Sequence, residues 1–395
     1  MSVTAVPGFE AAGVASGVKP DQTPDLALVA TADRRPVAAA GVFTTNQACA
    51  APVQISREHL ADGHAAAVIL NSGNANAATG EPGRDHARRM CRTTAAALGC
   101  QPTDVLVCST GLIGIPLPIA SVEAAIPAAA EALAAGDAAG RRAAEAMLTT
   151  DTVTKLATAP AGAGTVVGGM AKGAAMLAPA MATMLAVLTT DAPATPSALH
   201  AVLRGAVDAS FNTLIVDACT STNDTVLLLA RATDDRPPID GPSPAFDALS
   251  AAVTEVCTTL TAAMAADAEG ATKLARIVVR GAPTTDAARR AARAVASSQL
   301  VQCSLYGSDP YWGRVLSELG ASGVDLDPER VDIAYNGITV CRDGVAATHD
   351  EAALRDAVHG RHIQIACDLH AGVAEAEVLC TDLTHAYIDE NTGTS

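Results

Sequence analysis

Aromatic side chains are scarce in this chain: one tryptophan, four tyrosines and four phenylalanines among 395 residues. Hydrophobic residues nevertheless make up 49%, so the interior has to be packed from Ala, Val, Leu and Ile. Cations are few as well, 26 Lys and Arg against 42 Asp and Glu, for a net charge of -16. Binding to a phosphate backbone relies on clustered positive charge, so no nucleic-acid partner is expected. No stretch gives about 18 uninterrupted apolar residues, and the segment from Met1 to Val14 has neither a basic start nor an apolar core. These absences predict a cytoplasmic protein with no membrane span. The ten cysteines are scattered from Cys49 to Cys380 without a Cys-x-x-Cys pair, and the nine histidines form no His-Glu-x-x-His pattern. Buried reduced thiols and no metal are the expectation. Neither a Gly-x-Ser-x-Gly elbow nor a Walker lysine motif is present, and in Gly162-Ala-Gly164-Thr-Val-Val-Gly168 the third glycine falls one place late for a dinucleotide loop. No cofactor is expected.

At this length two or more lobes are the prior, and no internal repeat is evident. The patterning reads as α/β with a mixed sheet. Buried strands are predicted over 37–44, 67–70, 105–108, 152–159, 165–169, 225–230 and 273–279, and helices over 83–98, 138–148, 196–210, 246–268 and 286–298. Another helix is predicted to open at Ser121, with Glu123 in its first turn, where a carboxylate suits the helix dipole. Asn336-Gly337 between two alternating runs signals a tight hairpin, and strands rich in Ile, Val and Leu are predicted to close the chain. The Pro- and Asp-rich stretch 234–244 has linker-like composition but is short enough for a surface loop.

Chemistry concentrates in short motifs. Thr110 follows a buried strand in Cys108-Ser-Thr-Gly-Leu-Ile-Gly114, and Thr183 begins an apolar run in Ala182-Thr-Met-Leu185. Taken alone, Ser-Thr-Gly reads as a turn and Thr183 as a β-branched strand residue whose hydroxyl is satisfied locally. They stand, however, with Asn71-Ser-Gly-Asn-Ala-Asn76, Thr149-Thr150-Asp151, Ala171-Lys172-Gly173, Ser221-Thr-Asn-Asp224, Asp267-Ala-Glu269-Gly270 and Gly307-Ser-Asp-Pro-Tyr-Trp-Gly-Arg314. This ordered set, spanning nearly the whole chain, resembles the ornithine acetyltransferase (glutamate N-acetyltransferase, ArgJ) family.

The resemblance implies a layered α/β sandwich of the N-terminal-nucleophile type with mixed sheets. It implies self-cleavage between Ala182 and Thr183 into an alpha fragment, 1–182, and a beta fragment, 183–395, with two of each assembling together. Thr183 is then nucleophile and, through its free α-amine, general base. The donors for the oxyanion are Thr110 and Gly111. The implied substrate contacts are Lys172 for a carboxylate, Glu269 for a cationic amine, one or other of Thr149 and Thr150, and the tail residues Asn391 and Ser395. The substrates implied are N-acetylornithine as acetyl donor and glutamate as acceptor, in arginine biosynthesis. The chain departs from the pattern at Gln302, where lysine is expected, at Tyr311 for asparagine, at Ala175 for glycine and at Ala180 for asparagine, and its tail is one residue short. Two alternatives stay open: an N-terminal-threonine amidohydrolase, which would share self-cleavage and the acyl-enzyme but release the acyl group to water, and, given these departures, a paralogous acetyltransferase of secondary metabolism with another acceptor.

Overall fold

The computed structural model describes residues 2–176, 184–233 and 235–392. Ala180, Ala182, Thr183 and Ser395 lie outside the described residues.

A period of two in the hydrophobic residues sets the architecture. In the strands Leu26–Thr31, Ala67–Asn74 and Val105–Leu112, the side chains of Leu26, Leu28, Ile69, Val105 and Val107 pack with Met90, Val122 and Ile126 of flanking helices. Their neighbours Ala27, Val29, Val68, Leu70, Leu106 and Cys108 face the other way and meet Met170, Leu185, Val187, Leu227 and Leu229. The latter residues belong to a second sheet, whose alternate positions Ala186, Leu188, Val226 and Leu228 pack with the helices Pro196–Ala209 and Pro244–Ala266. Successive side chains on a strand point to opposite faces, so two fully buried sheets stack between two helical layers.

The first sheet has four strands, in the order Phe9–Val14, Leu26–Thr31, Ala67–Asn74, Val105–Leu112, with only the last pair parallel. The second has six, in the order His64–Ala65, Val37–Phe43, Thr225–Ala230, Leu185–Thr190, Val166–Lys172, Lys155–Pro160; Thr225–Ala230 and Leu185–Thr190 form its one parallel pair. A third sheet of seven strands is built around Leu274–Ala282, His362–Asp368 and Ala374–Thr381 and has its own core. Its helix Thr285–Ser297 buries Ala287, Ala288, Ala291, Ala292 and Ala296, so small side chains do the work that aromatics perform elsewhere. The fold is therefore a layered α/β structure with three mixed sheets.

Several elements differ from expectation. The strand predicted over 105–108 continues to Leu112, because its glycine-containing end still pairs with Ala67–Asn74. The strand predicted from residue 152 starts at Lys155, since the Thr152 and Val153 N–H groups bind the Asp267 carboxylate. The helix predicted to open at Ser121 opens two residues earlier, at Ile119, which puts Glu123 beyond the first turn, where Arg89 holds it. Phe9–Val14 and Leu26–Thr31 were not among the predicted strands, and the chain closes on the short helix His385–Glu390 after its last strand. Asn336 and Gly337, at φ 46° and 84°, form the expected hairpin turn. The 235–243 stretch lies against the sandwich, with Ile239 exchanging backbone hydrogen bonds with Pro193 and Thr195. Six cysteines are buried, but Cys219 and Cys303 are exposed, and none of the ten is disulfide-bonded. Pro244–Ala266 is long and apolar enough to cross a membrane by composition, yet its apolar face, including Leu249, Val253, Val256 and Leu260, belongs to the core.

Candidate active site

The parallel strands Ala67–Asn74 and Val105–Leu112 end side by side, with Thr110 opposite Ser72 and Gly111 opposite Gly73. Gly73 and Gly111 have φ of 98° and 132°, and a Cβ on Gly111 would lie 2.2 Å from the Gly73 carbonyl carbon. Only glycine permits this approach with that backbone. The strand end is pinned from several sides. Ser109 Oγ donates to Asn71 Oδ1 at 2.6 Å, Ser72 Oγ donates to the Ala146 carbonyl at 2.8 Å, and Asn223 Nδ2 donates to the carbonyls of Ala75 (2.6 Å) and Ser109 (2.9 Å). The Asn-rich motif and the Ser-Thr-Asn-Asp motif thus fix the backbone that carries Thr110. Thr110 is itself buried, and its hydroxyl has no protein hydrogen bond among the described residues.

Beyond Thr110 and Gly111 opens a cavity of about 350 Å³, also lined by Lys19, Gly73, Thr149, Thr150, Lys172, Glu269 and Asn391. Thr110, Gly111, Thr149, Thr150, Lys172, Glu269 and Asn391, seven of the residues implicated by sequence, are therefore gathered from far-apart segments at one place. Of the two threonines, Thr149 is tied to Lys172, whose Nζ donates to its Oγ1 at 2.7 Å.

Behind Lys172 lies a buried charge cluster. Asp151 accepts from Lys155 Nζ at 2.6 Å and from the Gly173 N–H at 2.7 Å, and stands 3.5 Å from Lys172 Nζ; Lys155 also pairs with Asp267 at 2.5 Å. Burial alone would raise the Asp151 pKa, but the ammonium groups of Lys172 and Lys155 outweigh it and hold the carboxyl well below the usual carboxylate range. The cluster contains two cations and two anions and is neutral as a unit.

Another wall carries carboxylates without cations. Glu269 accepts from Asn391 Nδ2 at 2.7 Å. Asp217 accepts from the Met176 N–H at 2.6 Å and the Tyr387 hydroxyl at 3.0 Å. Burial pushes the Asp217 pKa up, opposed only by N–H and hydroxyl donors. Further in, Asp224 Oδ1 accepts the Met184 N–H at 2.9 Å, while its buried Oδ2 has no partner among the described residues; burial raises its pKa well above its ordinary value.

Sequence reading overlooked Lys19, Lys155 and Asp217, and gave no separate role to Asp151 or Asp224 although both sit in the quoted motifs. Nothing in the local sequence marks Lys19 or Asp217. Two departures fall away from the cavity: Gln302 is buried and donates to the Val216 carbonyl at 2.8 Å, and Tyr311 is 53% exposed under Arg314. Ala175, in contrast, lines the cavity. The Gly162-Ala163-Gly164 stretch is a hairpin turn, closed by the Ala161 N–H to Thr165 carbonyl bond at 2.8 Å. Among the described residues, no three His, Cys, Asp or Glu side chains are grouped as metal ligands.

A family model described as the ArgJ family matches residues 10–393. The arginine biosynthesis bifunctional protein ArgJ of Thermobifida fusca is 47% identical over 399 residues, covering all of both chains. The protein of that name from Mycobacterium tuberculosis is 46% identical, covering all of this chain and 96% of its own. Among solved structures, the ornithine acetyltransferase of Mycobacterium tuberculosis complexed with ornithine is 44% identical, with a TM-score of 0.44, covering 45% of this chain and 94% of that one. With the match running through every motif that builds the cavity, the chain belongs to the ArgJ family.

Proposed function

We propose that this chain is a cytoplasmic acetyltransferase of arginine biosynthesis that moves the acetyl group of N2-acetylornithine to glutamate by way of an acetyl ester on Thr183. The observation that carries the reading is the convergence of Thr110, Gly111, Thr149, Lys172, Glu269 and Asn391 on one cavity. Residues 176 and 184, which flank the segment containing Thr183, are both anchored beside it by buried or half-buried aspartates.

In this reading the Thr183 hydroxyl first attacks the Ala182 carbonyl carbon, and water hydrolyses the resulting ester. Ala182 is left as a carboxylate and Thr183 with a free α-amine, so the chain becomes fragments 1–182 and 183–395, two of each forming the assembly. The reference pKa of an α-amine, roughly 7.7–8.0, lets it accept the hydroxyl proton near neutral pH. The hydroxyl oxygen adds to the acetyl carbonyl of N2-acetylornithine. Thr110 Oγ1 and the Gly111 N–H donate to the oxyanion, the C–N bond breaks, and the α-ammonium of Thr183 returns its proton to the departing ornithine amine. The free amine of glutamate then attacks the acetyl ester, its proton passes through the Thr183 amine, and N-acetylglutamate leaves with the hydroxyl restored. Lys172 holds the α-carboxylate common to both substrates, and Glu269 meets the δ-ammonium of the donor.

Thr183→Ala tests this directly. Wild type is expected to give two masses that locate the 182–183 bond, and the variant one uncleaved chain with no transfer; a cleaved or active variant removes Thr183 from the mechanism. Ornithine release that requires glutamate and matches N-acetylglutamate formed identifies a transferase, whereas equal release in water alone identifies an amidohydrolase. Acetylation of a different amine through Thr183 identifies the paralogue.

A further inference from the structure

We propose that Lys19 selects the acetyl acceptor, by pairing with the side-chain carboxylate of a dicarboxylic amino acid. The inference rests on the function proposed above and assigns a residue to a difficulty which that function creates. The donor and acceptor share an α-carboxylate but differ at the far end, where N2-acetylornithine carries an ammonium and glutamate a carboxylate. One cavity has to meet both. Glu269 suits the ammonium and repels the carboxylate, so glutamate needs a cation beyond the one that holds its α-carboxylate.

Lys172 does not have that charge to spare. Its ammonium donates to Thr149 and faces Asp151, within the neutral cluster that Lys155 and Asp267 complete. Lys19 and Lys172 are the only cationic residues lining the cavity among the described residues. Lys19 makes no ion pair among the described residues, and its Nζ has a single hydrogen bond, to the Pro24 carbonyl at 3.1 Å. Partial burial lowers its pKa, with Asp25 and Asp21 opposing the shift, so an anion arriving in the cavity would relieve a cost already present.

The backbone around Lys19 is built to be stationary. Asp25 is fully buried and accepts the N–H groups of Ser16 at 2.6 Å and Lys19 at 2.9 Å. The Lys19 stem crosses Gly73, where an added Cβ would lie 3.2 Å from Lys19 Cγ, and Gly73 is the strand partner of Gly111. A fixed backbone with a flexible four-carbon stem lets the ammonium rest on the Pro24 carbonyl while the donor is bound and turn to the acceptor's carboxylate afterwards.

The test compares discharge of the acetyl-enzyme, formed from N2-acetylornithine on self-cleaved protein, by glutamate, glutamine and ornithine. Lys19→Met is expected to lower kcat/KM for glutamate roughly 10- to 100-fold, the equivalent of losing a hydrogen bond to a charged group, mainly through KM. Glutamine and ornithine should fall far less, and Lys19→Arg should keep the preference for glutamate. Should Lys19→Met fold poorly, Lys19→Gln is read by the same three acceptors. Equal losses for all three acceptors, or an unchanged preference for glutamate in Lys19→Met when the wild type does transfer, overturn the assignment of Lys19 alone. A wild type that forms no N-acetylglutamate overturns the proposed function and this inference with it.

Discussion

Asp151 and Asp217 brace two walls of the same cavity, and their environments drive them in opposite directions. Each accepts a backbone N–H at the edge of the site, Gly173 for Asp151 and Met176 for Asp217. Burial disfavours the charge of both. At Asp151 two ammonium groups reverse that preference; at Asp217 the partners are a tyrosine hydroxyl and backbone amides, and the preference stands. The same residue type therefore makes a charge-locked wall with a lowered carboxyl pKa on one side and a wall with a raised one on the other. The locked wall carries Lys172, which in the proposed mechanism holds the carboxylate common to both substrates in one geometry. The softer wall carries Asn391 and Glu269, which the proposed mechanism sets against the ends where the substrates differ.

The largest effect should come from breaking the locked wall. Asp151→Ala leaves Lys172 buried without its carboxylate, and the expected loss is about 3–5 kcal/mol of stability, measured by denaturant unfolding of the purified protein. The sign with pH follows from the depressed pKa. Stabilisation by Asp151 is present above the unfolded carboxylate pKa and disappears as pH falls through the lower, folded value. The gap between wild type and Asp151→Ala should therefore narrow only on the acid side of the ordinary carboxylate range. A gap that is unchanged there would remove the charge lock from the account.

Thr110→Ala comes next and sharpens the comparison, because Thr110 sits on the pinned strand end and, in the proposed mechanism, acts only on developing charge. Loss of one oxyanion donor is worth about 2.7–4 kcal/mol of barrier, or 10²–10³ in kcat. Steady-state kinetics with N2-acetylornithine should show kcat falling and KM little changed; an effect confined to KM would make Thr110 a positioning residue.

The smallest effect is expected on the softer wall. Asp217→Asn can still accept the Met176 N–H, so its stability should stay within about 0.5 kcal/mol of wild type near neutral pH. With a raised folded pKa, the contribution of Asp217 is present below the unfolded value and lost as pH rises through the folded one. The neutral variant should accordingly gain on wild type as pH increases through that window, in thermal unfolding followed against pH. A variant that loses ground instead would mean that Asp217 is needed ionised.

Sequence by itself determined the layers and the chemistry. Unbroken apolar runs such as those in Val105–Leu112 and Thr225–Ala230 dictate strands buried on both faces, and the shortage of aromatics dictates a core in which Ala287, Ala288, Ala291 and Ala292 pack a helix onto its sheet. Local turn chemistry at Asn336-Gly337 was equally legible, because it depends on neighbours in the chain. The motifs supplied Thr110, Lys172, Glu269 and Asn391. What only the tertiary structure decided is how these groups are charged and restrained. Asp267 meets Lys155 across 112 residues, Tyr387 meets Asp217 across 170, and Lys19 reaches the cavity because Asp25 and Gly73 hold its loop against a strand end. Desolvation and Coulomb interactions depend on distance in space and are blind to order in the chain, which is why only the fold lowers the pKa of Asp151 and raises that of Asp217.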